Sequence, residues 1–345
     1  MKAIVLDAFG DVSHLKLADV PMPQPKKGEV RIKLKASGFN PVDYKIRQGL
    51  YGGKAPVILG SDCSGVIDAV GPDTEGFSVG DEVYAMPFGP CSNGSYAEFL
   101  CLPAAFVGKK PSNLSFEHAA VVPLASLTAY RAMIASHAIK RGDTLFIAGA
   151  GGGVGIFAVQ LAKHYLVKDI FTVAGSEESA HFMHDKLGLK KENILIYQGL
   201  SLKQLQEKLI AMNGGRLFDA TLDFVGGEMK RLCIDLTHHS GHCSSIIPEG
   251  PEFHLPAWER GVSPCFNKSL TVHFVFVGSE GFSGPPSSWS IYSRHLNHIT
   301  QLIENGTIHI PAVKSVGNLS VESVREAHRL LEEGRVKGKL VMSIS

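Results

Sequence analysis

A glycine-rich turn between an apolar run and a helical pattern restricts the fold of this chain more than any other feature of its sequence. Residues 143–163 read DTLFIAGAGGGVGIFAVQLAK, with the spacing A-x-G-x-x-G beginning at Ala150. Small residues let the backbone approach a pyrophosphate, whose oxygens the N–H groups at the start of the helix then bind. We therefore predict a dinucleotide-binding strand, turn and helix. The predicted cofactor contacts of the turn are Ala150, Gly152, Gly153, Val154 and Gly155.

Three more apolar runs, each followed by a helical pattern, come after this turn. The runs DIFTVAG, ENILIY and FDATLDFVG begin at residues 169, 192 and 218. Such alternation predicts a doubly wound parallel sheet with helices on both faces. Before residue 125 the short β-like runs are separated by Gly and Pro, which predicts an irregular antiparallel domain, a partly open β-barrel. The predicted fold class is α/β, with one domain of each kind.

The charge balance argues against a polyanionic partner. Lys and Arg total 34 and Asp and Glu total 33, for a net charge of +1. No global field therefore attracts nucleic acid or an anionic membrane surface. No run reaches the roughly eighteen apolar residues that a spanning helix needs, and the first residues lack the pattern of a secretory signal peptide. We expect a cytoplasmic protein whose partners are small molecules.

The end of the second strand bears on which dinucleotide is bound. An NAD site has an acidic residue here, which holds the ribose 2′-hydroxyl, whereas this chain has Gly175 and Ser176. A serine hydroxyl and the N–H groups of the next helix suit a 2′-phosphate, if Glu177 and Glu178 turn outward. Tyr197, at the end of the third strand, is expected to lie against the adenosine. These residues predict NADPH, although a serine at this position is also an ordinary helix N-cap.

The cysteines and histidines do not form a recognisable metal motif. The six cysteines are scattered without a C-x-x-C pair, so we expect reduced, mostly buried thiols. The segment THHSGHC, residues 237–243, crowds three histidines and a cysteine at the end of a helical pattern. Since this spacing is poor for a tetrahedral site, a solvated histidine-rich turn is the favoured interpretation and a metal site is the alternative.

Eight segments occur in the order and spacing of a known enzyme superfamily. They are GFNPVDYKIRQGLY, LGSDCSGVIDAVGP, GFSVGDEVYA, GSYAEFLCLP, LSFEHAAVVPLASLTAYRAM, AGAGGGVGIFAVQLAK, FDATLDFVGG and AHRLLEEGRVKGKLVMSI. The chain resembles a zinc-independent member of the medium-chain dehydrogenase/reductase superfamily, in its quinone oxidoreductase or ζ-crystallin-like branch. The resemblance implies a GroES-like catalytic domain at residues 1–125 and 279–345, a Rossmann domain at 126–278 and a cofactor bound in a cleft. It also implies a homodimer joined through Rossmann edge strands, of which SLTVHFVFVG is one.

The resemblance also indicates where zinc-dependent relatives hold their metal. Their ligands stand at positions that match Asn40, Ser61 and a residue near Leu124. An amide, a hydroxyl and a leucine cannot form a tetrahedral zinc site from nitrogen and sulfur ligands. The family's lobe of four cysteines is absent as well, and Cys91 and Cys101 alone cannot replace it. We therefore predict no metal.

Without a metal to polarise an alcohol, the implied reaction is hydride transfer to a quinone or to the C=C bond of an α,β-unsaturated carbonyl. The charge added to such acceptors is delocalised, so the protein needs mainly to orient them and to donate hydrogen bonds. By the family pattern, Asn40 would donate to a carbonyl oxygen and Tyr51 would supply a proton or a hydrogen bond. Arg47 would anchor charge nearby, and Asp43 would orient the segment.

Each of these catalytic candidates also has a purely structural interpretation. Asn40, followed by a proline, reads as the start of a helix. Asp43 and Arg47, four residues apart, read as an ion pair on the helix surface. Many relatives have a further tyrosine at the position of Lys45, whereas here it comes one residue earlier, at Tyr44. A shift of one residue rotates a helical side chain by about 100°, so Tyr44 does not simply inherit the role.

The resemblance adds residues near the nicotinamide and the substrate. The residues expected on the nicotinamide side are Thr128, Val225, Phe276 and Val277. The candidates for an apolar wall around the substrate are Met86, Phe88 and Trp289. The insert at residues 248–269, rich in proline and aromatic residues, is expected either to cover the cleft or to extend the dimer surface.

Two other functions stay open at this point. An alcohol or aldehyde dehydrogenase is disfavoured by the missing zinc ligands. An NADPH-binding sensor or partner-binding protein with little turnover is the rival from another class. The near-neutral charge argues against RNA as its partner.

Overall fold

The computed structural model describes residues 1–87, 93–334 and 336–345 of the chain. These residues form two compact units. One unit comprises Met1–Leu127 and Val277–Ser345, and the other comprises Thr128–Phe276. Within the described ranges, no helix is both long and apolar enough to cross a membrane.

The N-terminal part of the first unit consists mainly of strands. They are β1 (Lys2–Leu6), β2 (Leu15–Asp19), β3 (Glu29–Phe39), β4 (Val57–Ile58), β5 (Asp62–Val70), β6 (Glu82–Ala85), β7 (Phe99–Pro103) and β8 (Val107–Lys109). The helices are α1 (Pro41–Arg47), α2 (Phe116–Ala119) and α3 (Pro123–Tyr130). The boundary between the two units falls within α3.

The second unit alternates strands and helices. Its strands are β9 (Thr144–Ala148), β10 (Asp169–Ala174), β11 (Ile194–Ile196), β12 (Phe218–Asp223), β13 (Thr237–Ser245) and β14 (Thr271–Phe274). Its helices are α4 (Gly153–His164), α5 (Glu177–Asp185), α6 (Leu202–Met212), α7 (Glu228–Leu236) and α8 (Pro264–Asn267).

The C-terminal segment returns to the first unit. It contains the helices α9 (Ser279–Ser283), α10 (Ser290–Glu304) and α11 (Val321–Glu332). It also contains the strands β15 (Val313–Asn318) and β16 (Lys339–Ser343).

The long strand β3 organises the main sheet of the first unit, which is antiparallel except for the parallel pair β15–β16. The strand order is β15-β16-β3-β5-β6-β8, and β7 also pairs with β3. Leu340 of β16 lies opposite Phe39 of β3. Lys339, which precedes Leu340, is therefore brought next to Asn40, which follows Phe39. A strand from the C-terminal end thus meets the start of helix α1.

The sheet of the second unit is parallel throughout. Its strand order is β11-β10-β9-β12-β13-β14, which is the 3-2-1-4-5-6 order of a doubly wound fold. The predicted parallel sheet is confirmed. The order reverses between β9 and β12, and ligands of such sheets bind beyond the carboxyl ends of the strands at this point.

The segment THHSGHC is only partly a solvated turn. It opens β13, which lies between β12 and β14 in the sheet, but the pairing with β12 passes from Thr237 directly to His242. Residues 238–241 form a bulge in which Ser240 has a φ of +59°. Cys243 is buried between the two strands, whereas His238 and His239 are exposed at the start of β13.

The core of the second unit is built around three aromatic rings from neighbouring strands. The ring of Phe218 in β12 lies 5.7 Å from that of Phe146 in β9 and 5.2 Å from that of Phe171 in β10, measured between centroids. Phe218 and Phe146 are completely buried, and leucines from α6 and α7 complete the cluster. These contacts hold the centre of the sheet and its helices together.

We predict that Phe218→Ala lowers the free energy of unfolding of the protein by about 3–5 kcal/mol, because it removes a buried ring and leaves a cavity. Leu17→Ala provides the control, since Leu17 on β2 is 52% exposed and lies outside this core. Chemical denaturation of both variants measures the difference. Equal effects of the two substitutions would contradict this description of the core.

Candidate active site

The glycine-rich turn joins β9 to α4 in the second unit, as predicted. A Cβ atom at Gly155 would lie 2.2 Å from the carbonyl oxygen of Gly149 and 2.6 Å from Cα of Ala150, so only glycine fits there. Gly149 itself has a φ of +87°. Gly152 precedes α4 and is exposed, and no side chain of the described chain caps this helix. The first turn of α4 therefore presents N–H groups in a form that suits a phosphate.

The ends of β10 and β11 bring Ser176 and Tyr197 to one place. A Cβ atom at Gly175 would lie 3.1 Å from the hydroxyl oxygen of Tyr197. Ser176 is the N-cap of α5, and its hydroxyl accepts a hydrogen bond from the N–H of Ser179 at 3.2 Å. Both glutamates that follow Ser176 are exposed. Ser176 therefore has the N-cap role that the sequence left open, and the residues on either side of it are exposed.

The turn after β12 lies against the glycine-rich turn. A Cβ atom at Gly149 would lie 3.0 Å from Cγ2 of Val225, and the side chain of Val225 is half-exposed. The carboxylate of Asp223 accepts hydrogen bonds from the N–H groups of Val225 at 3.0 Å and Gly226 at 2.7 Å. The geometry therefore places Val225 beside the predicted pyrophosphate turn.

The other nicotinamide-side candidates are distributed along the chain. Thr128 is buried within α3. Phe276 is half-exposed and is the last residue of the second unit, and Val277 is the first residue of the segment that returns to the first unit.

Asn40 lies in a buried polar cluster of the first unit. The amino group of Lys339 donates a hydrogen bond to Asn40 Oδ1. An ammonium group only donates, so the Asn40 amide nitrogen faces the other way. It donates to Ser61 Oγ at 3.2 Å and to Asp62 Oδ2 at 2.7 Å. The amide nitrogen of Asn40, which by the family pattern would donate to a substrate carbonyl, thus donates to two protein acceptors.

Two buried carboxylates flank Asn40. Asp43 Oδ2 accepts the backbone N–H of Asn40 at 2.8 Å. Asp62 Oδ1 accepts the N–H of Leu124 at 2.7 Å, and Asp62 Oδ2 lies 3.8 Å from the amino nitrogen of Lys339. Burial raises the pKa of Asp62 to about 7, although Lys339 and Asn40 oppose the shift. Burial likewise raises the pKa of Asp43 to about 6.

Arg47 is buried and is held by partners outside its own helix. Its Nε donates to His328 Nδ1 at 3.2 Å, its Nη1 donates to the carbonyl oxygen of Gly10 at 2.5 Å, and its Nη2 is paired with Glu332. The alternative of an ion pair with Asp43 on the helix surface was therefore wrong. Long-range packing, which spacing along α1 does not report, directs the guanidinium towards α11.

A chain of hydrogen bonds links Arg47 to the polar cluster. Since the guanidinium only donates, His328 Nδ1 must accept, and the ring proton lies on Nε2. Nε2 lies 3.1 Å from the hydroxyl of Tyr96, which in turn is hydrogen-bonded to Asp43. Burial lowers the pKa of His328 to about 3, in agreement with a neutral ring. The chain thus fixes Asp43 as an acceptor at the start of α1.

Tyr51 is the catalytic candidate with the most open position. Its side chain is 49% exposed, just after α1. Partial burial and the neighbouring Tyr44 raise the pKa of Tyr51, so its hydroxyl keeps its proton at neutral pH. The hydroxyl is therefore available as a hydrogen-bond or proton donor.

The apolar-wall candidates occupy different environments. Met86 is buried in the core of the first unit. The ring of Trp289 packs against Phe106 at a centroid distance of 5.4 Å, and its indole N–H donates to the carbonyl oxygen of Glu280 at 2.9 Å. Phe88, like Cys91, lies outside the described residues.

The residues at the family's zinc positions do not fit a zinc ion. Asn40, Ser61 and Leu124 offer no imidazole or thiolate, which zinc prefers. An ammonium group from Lys339 instead contacts Asn40 and faces Asp62. The cation that offsets the buried carboxylates is thus a side chain of this protein.

Several residues of this cluster carry no motif in the sequence. Lys339, Tyr96 and His328 were not singled out, although Lys339 stands directly before the apolar run LVMSI. A lysine at the start of such a run is the one local signal that could have marked it as a buried charge.

Comparison with known proteins places both units in one family of oxidoreductases. A family model described as the alcohol dehydrogenase GroES-like domain matches residues 26–112, and one described as zinc-binding dehydrogenase matches residues 204–342. Human quinone oxidoreductase is 40% identical over 181 residues, which cover 52% of this chain and 54% of that protein. The chain spans about half the length of curated relatives such as this one.

Solved structures match the whole chain. The crystal structure of an NAD-dependent alcohol dehydrogenase is 31% identical, with 100% of both chains covered and a TM-score of 0.83. A mycobacterial protein solved in complex with NADPH is 27% identical, with 99% of both chains covered and a TM-score of 0.82. The matches support the fold over the full length of the described residues.

We predict that Asp62→Asn flattens the pH dependence of stability. Because the pKa of Asp62 is raised from 3.8 to about 7, the native state keeps a proton there that the unfolded chain loses. This group makes the free energy of unfolding fall as pH rises through that interval, by at most about 1.4 kcal/mol per pH unit. Chemical denaturation of both proteins between about pH 5 and 7 measures the slope. The exposed Asp73→Asn is the control, and an unchanged slope in Asp62→Asn would contradict the assignment.

Proposed function

Since this chain belongs to the medium-chain dehydrogenase/reductase superfamily, in its quinone oxidoreductase-like branch, we propose that it is a zinc-independent oxidoreductase that uses NADPH. Its acceptor is a quinone or the C=C bond of an α,β-unsaturated carbonyl. The observation that carries this proposal is the Lys339 ammonium in the polar cluster at the family's zinc positions.

The cofactor assignment is supported by the surface at the switch point of the parallel sheet. The exposed N–H groups of α4 suit the pyrophosphate, and Gly155 permits the close approach of its turn. We assign Ser176 and Tyr197, which lie close together, to the adenosine ribose; no carboxylate stands at the end of β10, which favours a 2′-phosphate. We assign Val225 to the nicotinamide side, for which Thr128, Phe276 and Val277 also stay candidates. When bound, NADPH supplies the hydride.

The acceptor class is argued from the residues at the family's zinc positions, which offer no imidazole or thiolate. An alcohol needs a metal or a strong base to lose its proton, whereas a quinone or an enone accepts a hydride into a delocalised system. One proton completes the reduction, and we assign its donation to Tyr51, whose half-exposed hydroxyl keeps its proton at neutral pH. Its phenol would give the proton to the developing oxyanion and recover one from water.

The other candidates of the first unit act by holding α1 in place. Asn40 and Asp43 connect the start of the helix to Lys339, Ser61 and Tyr96, and Arg47 connects its end to α11. We assign them a positioning role for the Tyr51 segment. A direct hydrogen bond from Asn40 to the substrate would require the amide to release Asp62 or Ser61.

A homodimer is proposed along β14. This strand lies at the edge of the parallel sheet and exposes Phe274. The expected cytoplasmic location and the expected lack of nucleic-acid binding stay predictions.

Purified protein should oxidise NADPH faster with 9,10-phenanthrenequinone or an enone than with a saturated aldehyde, at a rate that a chelator does not change. The change in absorbance of NADPH measures the rate, and elemental analysis of the same preparation measures bound metal. Chelator-sensitive alcohol oxidation would overturn the proposal. Cofactor binding without turnover across the acceptors would favour the sensor instead, and tighter binding of NADH than NADPH would overturn the cofactor choice.

Tyr51→Phe should lower kcat by about 10–100-fold, within the range typical of a lost general acid, while the Kd of NADPH changes less than about twofold. Tyr44→Phe is the comparison, because the two hydroxyls lie close enough for Tyr44 to influence the pKa of Tyr51. A loss of turnover confined to Tyr44→Phe would transfer the role to that residue. Unchanged turnover in both would remove tyrosine from the mechanism.

A further inference from the structure

The segment at residues 246–253, which includes the start of the insert, lies over the turn between β12 and α7. A Cβ atom at Gly226 in this turn would lie 2.7 Å from Cγ2 of Ile247 and 3.1 Å from Oε1 of Glu249. Gly226 and Gly227 both have positive φ angles, of 87° and 56°. The segment therefore packs directly on the backbone of the turn, at a point where a side chain would not fit.

A buried ion pair attaches this segment to α7. Lys230 is only 3% exposed, and its amino group lies 2.6 Å from Glu249 Oε1. It also donates to the carbonyl oxygen of Ile247 at 2.6 Å and lies 5.4 Å from the ring centre of Phe253. Arg231 covers the same ring at 4.6 Å. A lysine buried this deeply needs its carboxylate partner, because an unpaired cation in such a place is costly.

Glu249 also holds the backbone of the turn. Its Oε1 accepts the N–H of Gly227 at 2.8 Å. Together with the two bonds to Asp223, this means that three successive N–H groups, from Val225 to Gly227, donate to carboxylates. Burial alone would raise the pKa of Glu249, but the hydrogen bonds from Lys230 and Gly227 outweigh it and lower the pKa. The carboxylate is therefore ionised at neutral pH.

The turn held in this way is the one that contacts the glycine-rich turn. Val225 Cγ2 lies 3.0 Å from the Cβ position of Gly149, and β12 is the strand next to β9 at the switch point. A displacement of the turn would therefore move Val225 relative to the predicted cofactor surface. The adenosine side, at the ends of β10 and β11, lies on the far side of β9 in the sheet.

We propose that Glu249 and Lys230 are positioning residues, which set the turn at residues 224–227 for the nicotinamide half of NADPH. The proposal rests on the proposed function, because it requires NADPH as the cofactor. It assigns a role to the first part of the insert: this part holds the turn from outside through one carboxylate. Neither residue needs to touch the cofactor.

The test compares two ligands that differ in the nicotinamide half. Glu249→Gln should raise the Kd of NADPH about tenfold, while the Kd of 2′,5′-ADP, which lacks the nicotinamide, changes less than about twofold. Isothermal titration calorimetry of the full chain measures both constants. Glu252→Gln is the matched control, since Glu252 is an exposed carboxylate in the same segment, and it should leave both constants unchanged.

Glu249→Asp keeps the charge beside Lys230 but shortens the side chain by one methylene. If Glu249→Gln does not fold, Glu249→Asp replaces it in the test. We then expect a smaller rise in the Kd of NADPH and no change in the Kd of 2′,5′-ADP. Equal losses for both ligands, or no change for either, would overturn the positioning role. A wild-type protein that binds neither ligand would overturn the proposed function itself. If the wild-type protein binds NADPH and Glu249→Gln does not change its Kd, only this inference is overturned.

Discussion

The buried ammonium group of Lys339 sets the arrangement of polar side chains in the first unit. A cation removed from water is stable only beside acceptors and an opposite charge. Asn40 Oδ1 accepts its hydrogen bond, and the carboxylate of Asp62 lies 3.8 Å away. This contact orients the Asn40 amide, which then donates to Ser61 and Asp62. At the positions that the family resemblance assigns to zinc ligands, the side chains of Asn40 and Ser61 thus belong to a hydrogen-bonded network with Lys339 and Asp62.

Carboxylates have a comparable effect in the second unit, where they fix backbone instead of side chains. Asp223 and Glu249 accept the N–H groups of the turn after β12. Among the described residues, no side chain caps the start of α4 in the glycine-rich turn beside it. The N–H groups of the turn after β12 are thus bonded within the protein, whereas those at the start of α4 can bind a ligand. The first turn therefore supports the site, and the second is the predicted binding element.

The parallel sheet was predictable because its signals are local. The apolar run before the glycines became β9 and the helical pattern after them became α4, since period and turn residues act over a few positions. THHSGHC is a mixed case. Its local turn signal is kept at residues 238–241, which form a bulge, but the residues on either side pair with neighbouring strands, which residue types at short spacing do not report. The site is another case in which local sequence does not report distant partners. Arg47 was predicted from its motif, but its partners His328 and Glu332 were not.

The sequence by itself determined the doubly wound sheet and the glycine turn, because each depends on residue types at short spacing. Only the tertiary structure decided what Asn40 does. Its amide is turned by Lys339, which stands 299 positions further along the chain, and by Asp62, 22 positions away. The antiparallel pairing of β3 and β16 creates that neighbourhood. A hydrogen bond forms between groups that are close in space, and local sequence patterns do not show which distant residue the fold brings close.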